Sequence, residues 1–495
     1  MVSITSENGL KSYWMRKVNV IIPCCGEGQR FIRAGYQDYK AGMDFMGKPI
    51  LHHVMDAFPD DFIKWIITDT HHLVQIEKLT GKYQNVHLIV IEPHKNGPAW
   101  SINEACLQIP EHQQCFVAYN DVFWKWDIEE VMEFVKINRA EGIVFTHTGF
   151  HPHLFKNNFS AFCRTDGQTL IEIKEKSSFT DNWMKEPLST GVYYFSDTCV
   201  MLSKIKWMID NGQKVAGEYY PSLIFNEMKH DGLNVCVFET RPFVHLGTPE
   251  QYEDALHWQQ IFVDSNDTHS VPVLIMMCGT GNRMKIVSEI NKAGIEVHSQ
   301  PMFRYVSDRI NSSQTCYLVN NATLDFTGEM DEIINIHNQT STQVESLFEA
   351  LPYLREFKRI LVNSNDCYGI FDTRRLDDFN DFDIVLFGFK RRLIHTKQPS
   401  AHSGFSVSGD HVTEISIKSV SENQQGLAGM YYFPNVSILD YLNDIDCKCY
   451  ESIDHFAQFL LGKKAKIGFI DLKHYVHLGT PEEYHEFSFW KKFYE

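Results

Sequence analysis

Two glycine-rich turns, each closing an apolar run and each carrying an arginine, are the residues in this chain whose types and spacing first suggest chemistry. VNVIIPCCGEGQRF presents Gly26, Gly28 and Arg30, and VPVLIMMCGTGNRM presents Gly279, Gly281 and Arg283. Glycines let backbone N–H groups approach an anion closely, and arginine adds a rigid fork of donors suited to a polyphosphate. Alone, such a turn serves equally well as a tight connection from strand to helix. It is not a Walker loop, because no GK[ST] follows, and the third glycine of a dinucleotide fingerprint is missing.

Further polar landmarks follow each turn in one order. Lys40 in KAGMDFMGKP matches Lys292 in KAGIEVHSQP, and Asn120-Asp121 matches Asn365-Asp366. LIEIKEKS, with Glu175 and Lys176, matches VTEISIKS, with Lys418; STGVYYF ending at Phe195 matches LAGMYYF ending at Phe433. The heptapeptide VHLGTPE closes both series, at 244–250 and 476–482. The offset between partners falls from 253 (Gly26 to Gly279) to 232 (His245 to His477), as expected of two collinear copies that differ by small loop deletions. The sequence therefore reads as two domains, 1–262 and 271–495, joined by the polar linker VDSNDTHS at 263–270.

The elements that must hold these residues alternate. In the first copy, strands are expected at 17–23, 62–68, 86–91 and 115–119, and helices at 50–58, 71–80, 98–108 and 128–139. Beyond Gly142 the strands come more densely, with hairpin material at 162–176 and 189–195. The expected fold class is α/β, with two tandem, doubly wound, mainly parallel sheets. The GxGxR turn, Gly97 and Asp121 all follow strands on the carboxyl edge, where open α/β sheets bind ligands.

Composition excludes several classes. The 495 residues carry a formal charge of −17 with no Lys/Arg-rich tract, which argues against a duplex nucleic-acid surface. No apolar run approaches the roughly 20 residues of a membrane span, and MVSITSENGLKSYWMRK lacks the apolar core of a signal peptide, so the expected location is the cytoplasm. Most of the twelve cysteines sit singly in apolar contexts such as NVCVFE and IMMCGT, which suits reduced core thiols.

Taken in order, GEGQRF, DYKAGMDFMGKPILHHV, a Gly-Pro-Ala turn, a strand ending in Asn-Asp, EIKEKS and HLGTPE resemble the motif series of the nucleotidyltransferases that make NDP-sugars and related activated phosphates. The resemblance covers nearly all of both copies and implies a GT-A-like Rossmann domain in each. Carried over to this sequence, it implies that Gly26, Gly28, Arg30 and Lys40 hold a triphosphate, with Arg30 and Lys40 offsetting charge as pyrophosphate departs. Gly97 would let the backbone approach the base, Asp121 would bind Mg²⁺, Glu175 would contact the acceptor's hydroxyls and Lys176 its phosphate. The partners implied are an NTP and a phosphorylated small-molecule acceptor, and a homo-oligomer is compatible with the series. Each residue also has an ordinary alternative: Lys40 and Lys48 as solvated lysines, Asp121 as a turn or cap residue, Glu175 and Lys176 as exposed strand residues.

One departure recurs in both copies. The resembled family closes on DxGTPE, whose Asp is a second metal ligand, whereas here His245 and His477 take that place. Imidazole is a poor Mg²⁺ ligand, so the site uses one carboxylate, recruits another such as Glu218, takes a softer metal, or uses His245 only to cap the turn or bind phosphate. The copies also differ from each other. The second keeps Gly279, Gly281, Arg283, Lys292, Asp366 and Lys418 but has Gln300 for Lys48, Ile417 for Glu175, and HNQTSTQVES in place of the Gly-Pro-Ala turn. The first copy is the expected catalytic one; the second is degenerate, differently specific, regulatory or structural. The expected activity is activation of a phosphosugar or phospho-alcohol, in polysaccharide or glycoconjugate synthesis. The rival readings are a glycosyltransferase using an NDP-sugar and a non-catalytic nucleotide-binding sensor or scaffold.

Overall fold

The computed structural model describes residues 18–495 except 27, 156–159, 241, 327, 329–331, 393, 396–400 and 422; the segment read above for a signal peptide lies outside them. The chain forms two compact units, Met1–Leu256 with Lys492–Glu495, and His257–Lys491.

In the first unit the apolar runs become a nine-stranded sheet in the order Val86–Ile91, Ile63–Asp69, Asn19–Pro23, Cys115–Ala118, Leu188–Phe195, Gly142–His147, Val235–Glu239, Thr169–Glu175, Ala161–Asp166. The first four strands pair in parallel, as do Gly142–His147 and Val235–Glu239. The other five pairings, including that of Leu188–Phe195 with Ala161–Asp166, are antiparallel. The expected mainly parallel sheet therefore holds for one edge and one further strand pair, and the sheet is mixed. The reason is local: Thr169–Glu175 and Ala161–Asp166 form a hairpin, and Leu188–Phe195 leaves it running back between two strands of opposite sense. A hairpin cannot supply the crossover that parallel pairing needs.

The sheet's central strands, Asn19–Pro23, Cys115–Ala118, Leu188–Phe195 and Gly142–His147, are largely apolar and are buried on both faces. Val20 and Ile22 enter one core with Phe116 and Phe145, while Ile21 enters the other with Val117, Val144 and Tyr193. Alternate side chains of one strand thus serve opposite layers. Helix Ile128–Asn138 starts where the Asp127 carboxylate accepts from the Glu129 N–H at 2.9 Å, and helix Thr198–Asp210 starts in the same way at Asp197.

The second unit has a nine-stranded sheet of the same order: Ile333–Asn335, Thr315–Val319, Val273–Met276, Ile360–Ser364, Gln425–Phe433, Ile384–Phe389, Ile467–Asp471, His411–Ser416, Ser403–Ser408. Its pairings repeat the parallel and antiparallel sequence of the first, position by position. Residues 264–270 form no helix or strand, yet they are bound into this unit by the buried Asn266. Its amide donates to the Arg309 and Gly369 carbonyls at 3.0 and 2.8 Å and accepts from the Phe371 N–H at 2.9 Å. Nine of the twelve cysteines are buried, and no described helix is long and apolar enough to cross a membrane.

The first sheet's packing is testable at Phe116, which is fully buried with its ring centroid 5.3 Å from Phe58 and 5.2 Å from Tyr194. Phe116→Ala is expected to cost about 3 to 5 kcal/mol in urea denaturation. A loss under about 1 kcal/mol would contradict this core.

Candidate active site

Strand Cys115–Ala118 delivers Asn120-Asp121 to the carboxyl edge of the first sheet. Directly after it, Val122–Phe123 pairs antiparallel with Val244–His245, and the Leu246 N–H donates to the Asp121 carbonyl at 2.7 Å. The closing heptapeptide is thereby laid against the aspartate by main-chain hydrogen bonds. Its glycine is needed for space, since a Cβ at Gly247 would stand 2.8 Å from Asp121 Oδ2. The Lys40 Nζ donates to the same Oδ2 at 2.7 Å. Burial would push the Asp121 carboxyl up, but the Lys40 ammonium outweighs burial and holds it below the usual carboxylate range.

These residues open onto a cavity of about 500 Å³. Gly26, Gly28, Arg30, Lys40, Gly97, Asp121 and Lys176, read from sequence as far apart as 150 residues, all line it, together with His94, Ser101, Glu218, Tyr220, His245 and Gln251. Arg30, Lys40, Lys95 and Lys176 face it against only two carboxylates, Asp121 and Glu218, among the described residues. In a chain of net charge −17 that local surplus of positive charge favours a polyanion.

Each expected residue has a local reason for its place. Gly28 takes the left-handed conformation (φ 61°) at the start of helix Gln29–Arg33, and Arg30 is exposed on that helix. Gly97 (φ 92°) is held by close approach. A Cβ there would lie 2.8 Å from the Tyr219 carbonyl and from the Glu218 Cβ, so this glycine seats the segment 218–220 against the cavity wall as well as lining it. Helix Pro98–Glu104 then begins with no side-chain cap.

Glu175 does not join them. It is buried, accepts a hydrogen bond from the Ser222 hydroxyl at 2.5 Å, and is not among the cavity-lining residues. Burial, with a small push from Glu218, raises its carboxyl to about 7. Lys48 also stands apart, paired with Asp56 on the exposed surface at 2.6 Å. Sequence reasoning missed Tyr220 and Gln251. The signal for Tyr220 was the Ala-Gly turn in VAGEYYP, which projects Glu218 and Tyr220 from a tight corner.

The donor set decides which metal would fit. Glu218 accepts from the Tyr220 hydroxyl and lies 4.0 Å from the Lys176 Nζ, and the Ser160 hydroxyl lies 3.3 Å from His245 Nε2. Burial lowers the His245 imidazole and Lys40 adds to that, with Asp121 opposing, so the ring is neutral. Asp121 is left as the metal-directed carboxylate among the described lining residues. One carboxylate suits Mg²⁺, which keeps most of its shell as water and phosphate oxygen.

In the second unit the same framework is charged differently. Cys367–Ile370 pairs with His474–His477, the Leu478 N–H donates to the Asp366 carbonyl at 2.6 Å, and Lys292 reaches Asp366 Oδ2 at 2.6 Å. Gln251 of the first unit is replaced by Glu483, which pairs with His477 and accepts from the Thr480 hydroxyl at 2.7 Å. Burial alone would lower His477, but Glu483 and Asp366 together raise it to about 9, so it is an imidazolium 3.6 Å from Asp366. The buried trio His395, His402 and Glu483 has the composition of a metal site. However, His395 Nδ1 accepts from the Arg392 N–H at 3.1 Å, which puts the ring proton on Nε2, facing Glu483. His402 Nε2 lies within hydrogen-bond distance of Glu483 at 3.0 Å, and the protonated His395 Nε2 faces the same oxygen at 3.6 Å.

The loops differ too. A Cβ at Gly281 would strike Lys292 Cβ at 2.7 Å, whereas nothing lies within 4 Å of one at Gly28. Gly279 is held by the Asn291 amide at 3.2 Å, Arg283 is exposed, and Lys418 pairs with the exposed Glu451 at 2.6 Å. Where the first unit has an uncapped Gly-Pro helix start, Thr342 caps helix Gln343–Leu354 by accepting from Glu345 N at 2.9 Å.

Glu175 supplies a pH test. Its folded-state value near 7 lies above the ordinary 4.5, so the folded protein holds the extra proton in that window and stability falls as pH rises through it. Glu175→Gln should remove that fall, worth about 3 kcal/mol by pH 8, in urea denaturation at pH 5 and pH 8. Parallel pH profiles for the two proteins would show Glu175 to be ordinarily ionised.

No family model and no curated protein matches this chain. Among solved structures, similar chains include a nucleoside-diphosphate-sugar pyrophosphorylase of Vibrio cholerae RC9 (20% identity, TM-score 0.40, 48% of this chain and 98% of that one). Another is the inositol-1-phosphate CTP transferase of T. maritima (14% identity, TM-score 0.38, 46% of this chain and 97% of that one).

Proposed function

We propose that the first unit, 1–262 in the sequence reading, is a Mg²⁺-dependent nucleotidyltransferase that activates a phosphosugar or phospho-alcohol, and that the two units arose by tandem duplication. One observation carries the reading: Gly26, Gly28, Arg30, Lys40, Asp121 and Lys176 converge on a single cavity whose described lining residues include more cations than carboxylates. An oxygen of the acceptor phosphate attacks the α-phosphorus of the NTP; that P–O bond forms as the bond to the β-phosphate's bridging oxygen breaks, and pyrophosphate leaves. No covalent enzyme intermediate is needed. Arg30 and Lys40 offset the charge that builds on the departing pyrophosphate, Gly26 and Gly28 give the phosphates access to backbone N–H groups, and Lys176 meets the acceptor phosphate. Mg²⁺, when bound, neutralises phosphate charge, and Asp121 is the residue that would hold it. Lys40, already paired with Asp121, ties the two ends of this machinery together.

The second unit, 271–495, is proposed to be silent in this reaction. Its aspartate faces two cations, Lys292 and the His477 imidazolium, and its loop is packed onto Lys292. The two rival readings differ in what they consume and release: a glycosyltransferase would consume an NDP-sugar, and a sensor would bind NTP without releasing pyrophosphate. A cytoplasmic location and a role in polysaccharide synthesis belong to the same proposal.

Pyrophosphate release from a panel of NTPs crossed with phosphosugars and phospho-alcohols tests this. Asp121→Ala is expected to lower turnover by at least about 100-fold, while Asp366→Ala retains it. Full activity in Asp121→Ala would remove the proposed site; loss confined to Asp366→Ala would assign catalysis to the second unit.

A further inference from the structure

Lys176 follows strand Thr169–Glu175 in a left-handed conformation (φ 57°), with its N–H donating to the Ser160 carbonyl at 3.1 Å. Its root is fixed and its stem is flexible. The ammonium stands 4.5 Å over the Tyr220 ring, donates to the Tyr220 hydroxyl, and lies 4.0 Å from Glu218 Oε2; the same hydroxyl donates to Glu218. An aromatic face beside a carboxylate is the chemistry that recognises a cationic nitrogen, and here a lysine of the chain already fills it.

The seat is built independently of that lysine. Val215 and Glu218 exchange main-chain hydrogen bonds of 3.0 and 3.1 Å across a two-residue turn in which Ala216 and Gly217 both have positive φ (50° and 87°). The Tyr219 N–H donates to the Asn96 carbonyl at 2.7 Å, and the Ser222 hydroxyl anchors the segment to Glu175. Glu218 is 43% exposed and opens on the cavity, so a ligand can reach it.

We infer that Glu218 and Tyr220 receive a cationic nitrogen of the acceptor, which is therefore a phosphomonoester that also carries a positive charge. This inference rests on the nucleotidyltransferase reading of the same site. When the acceptor phosphate draws the Lys176 ammonium away, Glu218 loses its cation, and a neutral polyol does not replace it. An amino-alcohol phosphate or an amino-sugar phosphate does, because its own nitrogen takes the seat as its phosphate takes Lys176.

Matched acceptors test the charge alone. The full-length chain is assayed for pyrophosphate release with each common NTP and Mg²⁺, using phosphocholine against 3,3-dimethylbutyl phosphate and glucosamine-1-phosphate against glucose-1-phosphate. The cationic member of at least one pair is expected to exceed its neutral partner by about tenfold in kcat/KM, and the pair that responds distinguishes amino alcohol from amino sugar. Glu218→Gln and Tyr220→Leu should raise KM for the cationic acceptor and erase its advantage, while Tyr220→Phe, which keeps the ring, should retain most of it. If the neutral member equals or exceeds its partner in every pair turned over, the cation seat is wrong and nucleotidyl transfer stands. If NTP binds but neither these pairs nor the wider acceptor panel releases pyrophosphate, the nucleotidyltransferase reading falls and the inference falls with it; if only neutral acceptors of that panel turn over, the cation seat alone is wrong.

Discussion

Each unit is organised around a carboxylate at the end of a central strand that must be kept charged in a partly enclosed place. Asp121 and Asp366 meet that constraint in one way: a lysine from the loop beyond the glycine-rich turn approaches within 2.6 to 2.7 Å, and the closing heptapeptide is paired to the residues that follow the aspartate. The ammonium offsets the desolvation that would otherwise neutralise the acid. The room for the carboxylate comes from a missing side chain, since a Cβ at Gly247 or Gly479 would lie 2.8 or 2.1 Å from the aspartate oxygen. A motif separated by more than a hundred residues from its aspartate is thus coupled to it by sterics and by main-chain hydrogen bonds.

Around that shared constraint the units diverge by charge. With the uncharged Gln251 at the place of Glu483, burial and Lys40 keep His245 lowered, and among the described lining residues of the first cavity cations outnumber carboxylates. Glu483 at the matching place makes His477 a cation, which turns toward Asp366, so the second cluster satisfies its charges internally. One glutamine-to-glutamate difference, with the glycine loop packed on Lys292, separates a group of residues open to an outside polyanion from one that is closed upon itself.

The repeat, the strand ends and most cavity residues were legible in the linear order. A GxGxR turn, a lysine, an Asn-Asp and an HLGTPE each follow or flank apolar runs, and open α/β sheets gather such strand ends at one edge. Glu175 was not legible. Alternation in EIKEKS leaves open which face is outside, and only the packing of Ser222 and the segment 218–220 turns that carboxylate inward and brings Glu218 and Tyr220 to the cavity instead. The mixed sheet escaped for a related reason, because an apolar strand reads the same in either direction and its sense is set by the hairpin before it.

The sequence by itself determined that glycines, cations and an aspartate recur in one order in two stretches of α/β character, since periodicity and composition are local properties of the chain. Only the tertiary structure decided which charges face one another. The state of His245 against His477, the withdrawal of Glu175 and the seat made by Glu218 and Tyr220 all depend on groups distant in sequence coming within a few ångströms, where Coulomb and desolvation energies are large enough to choose between protonation states.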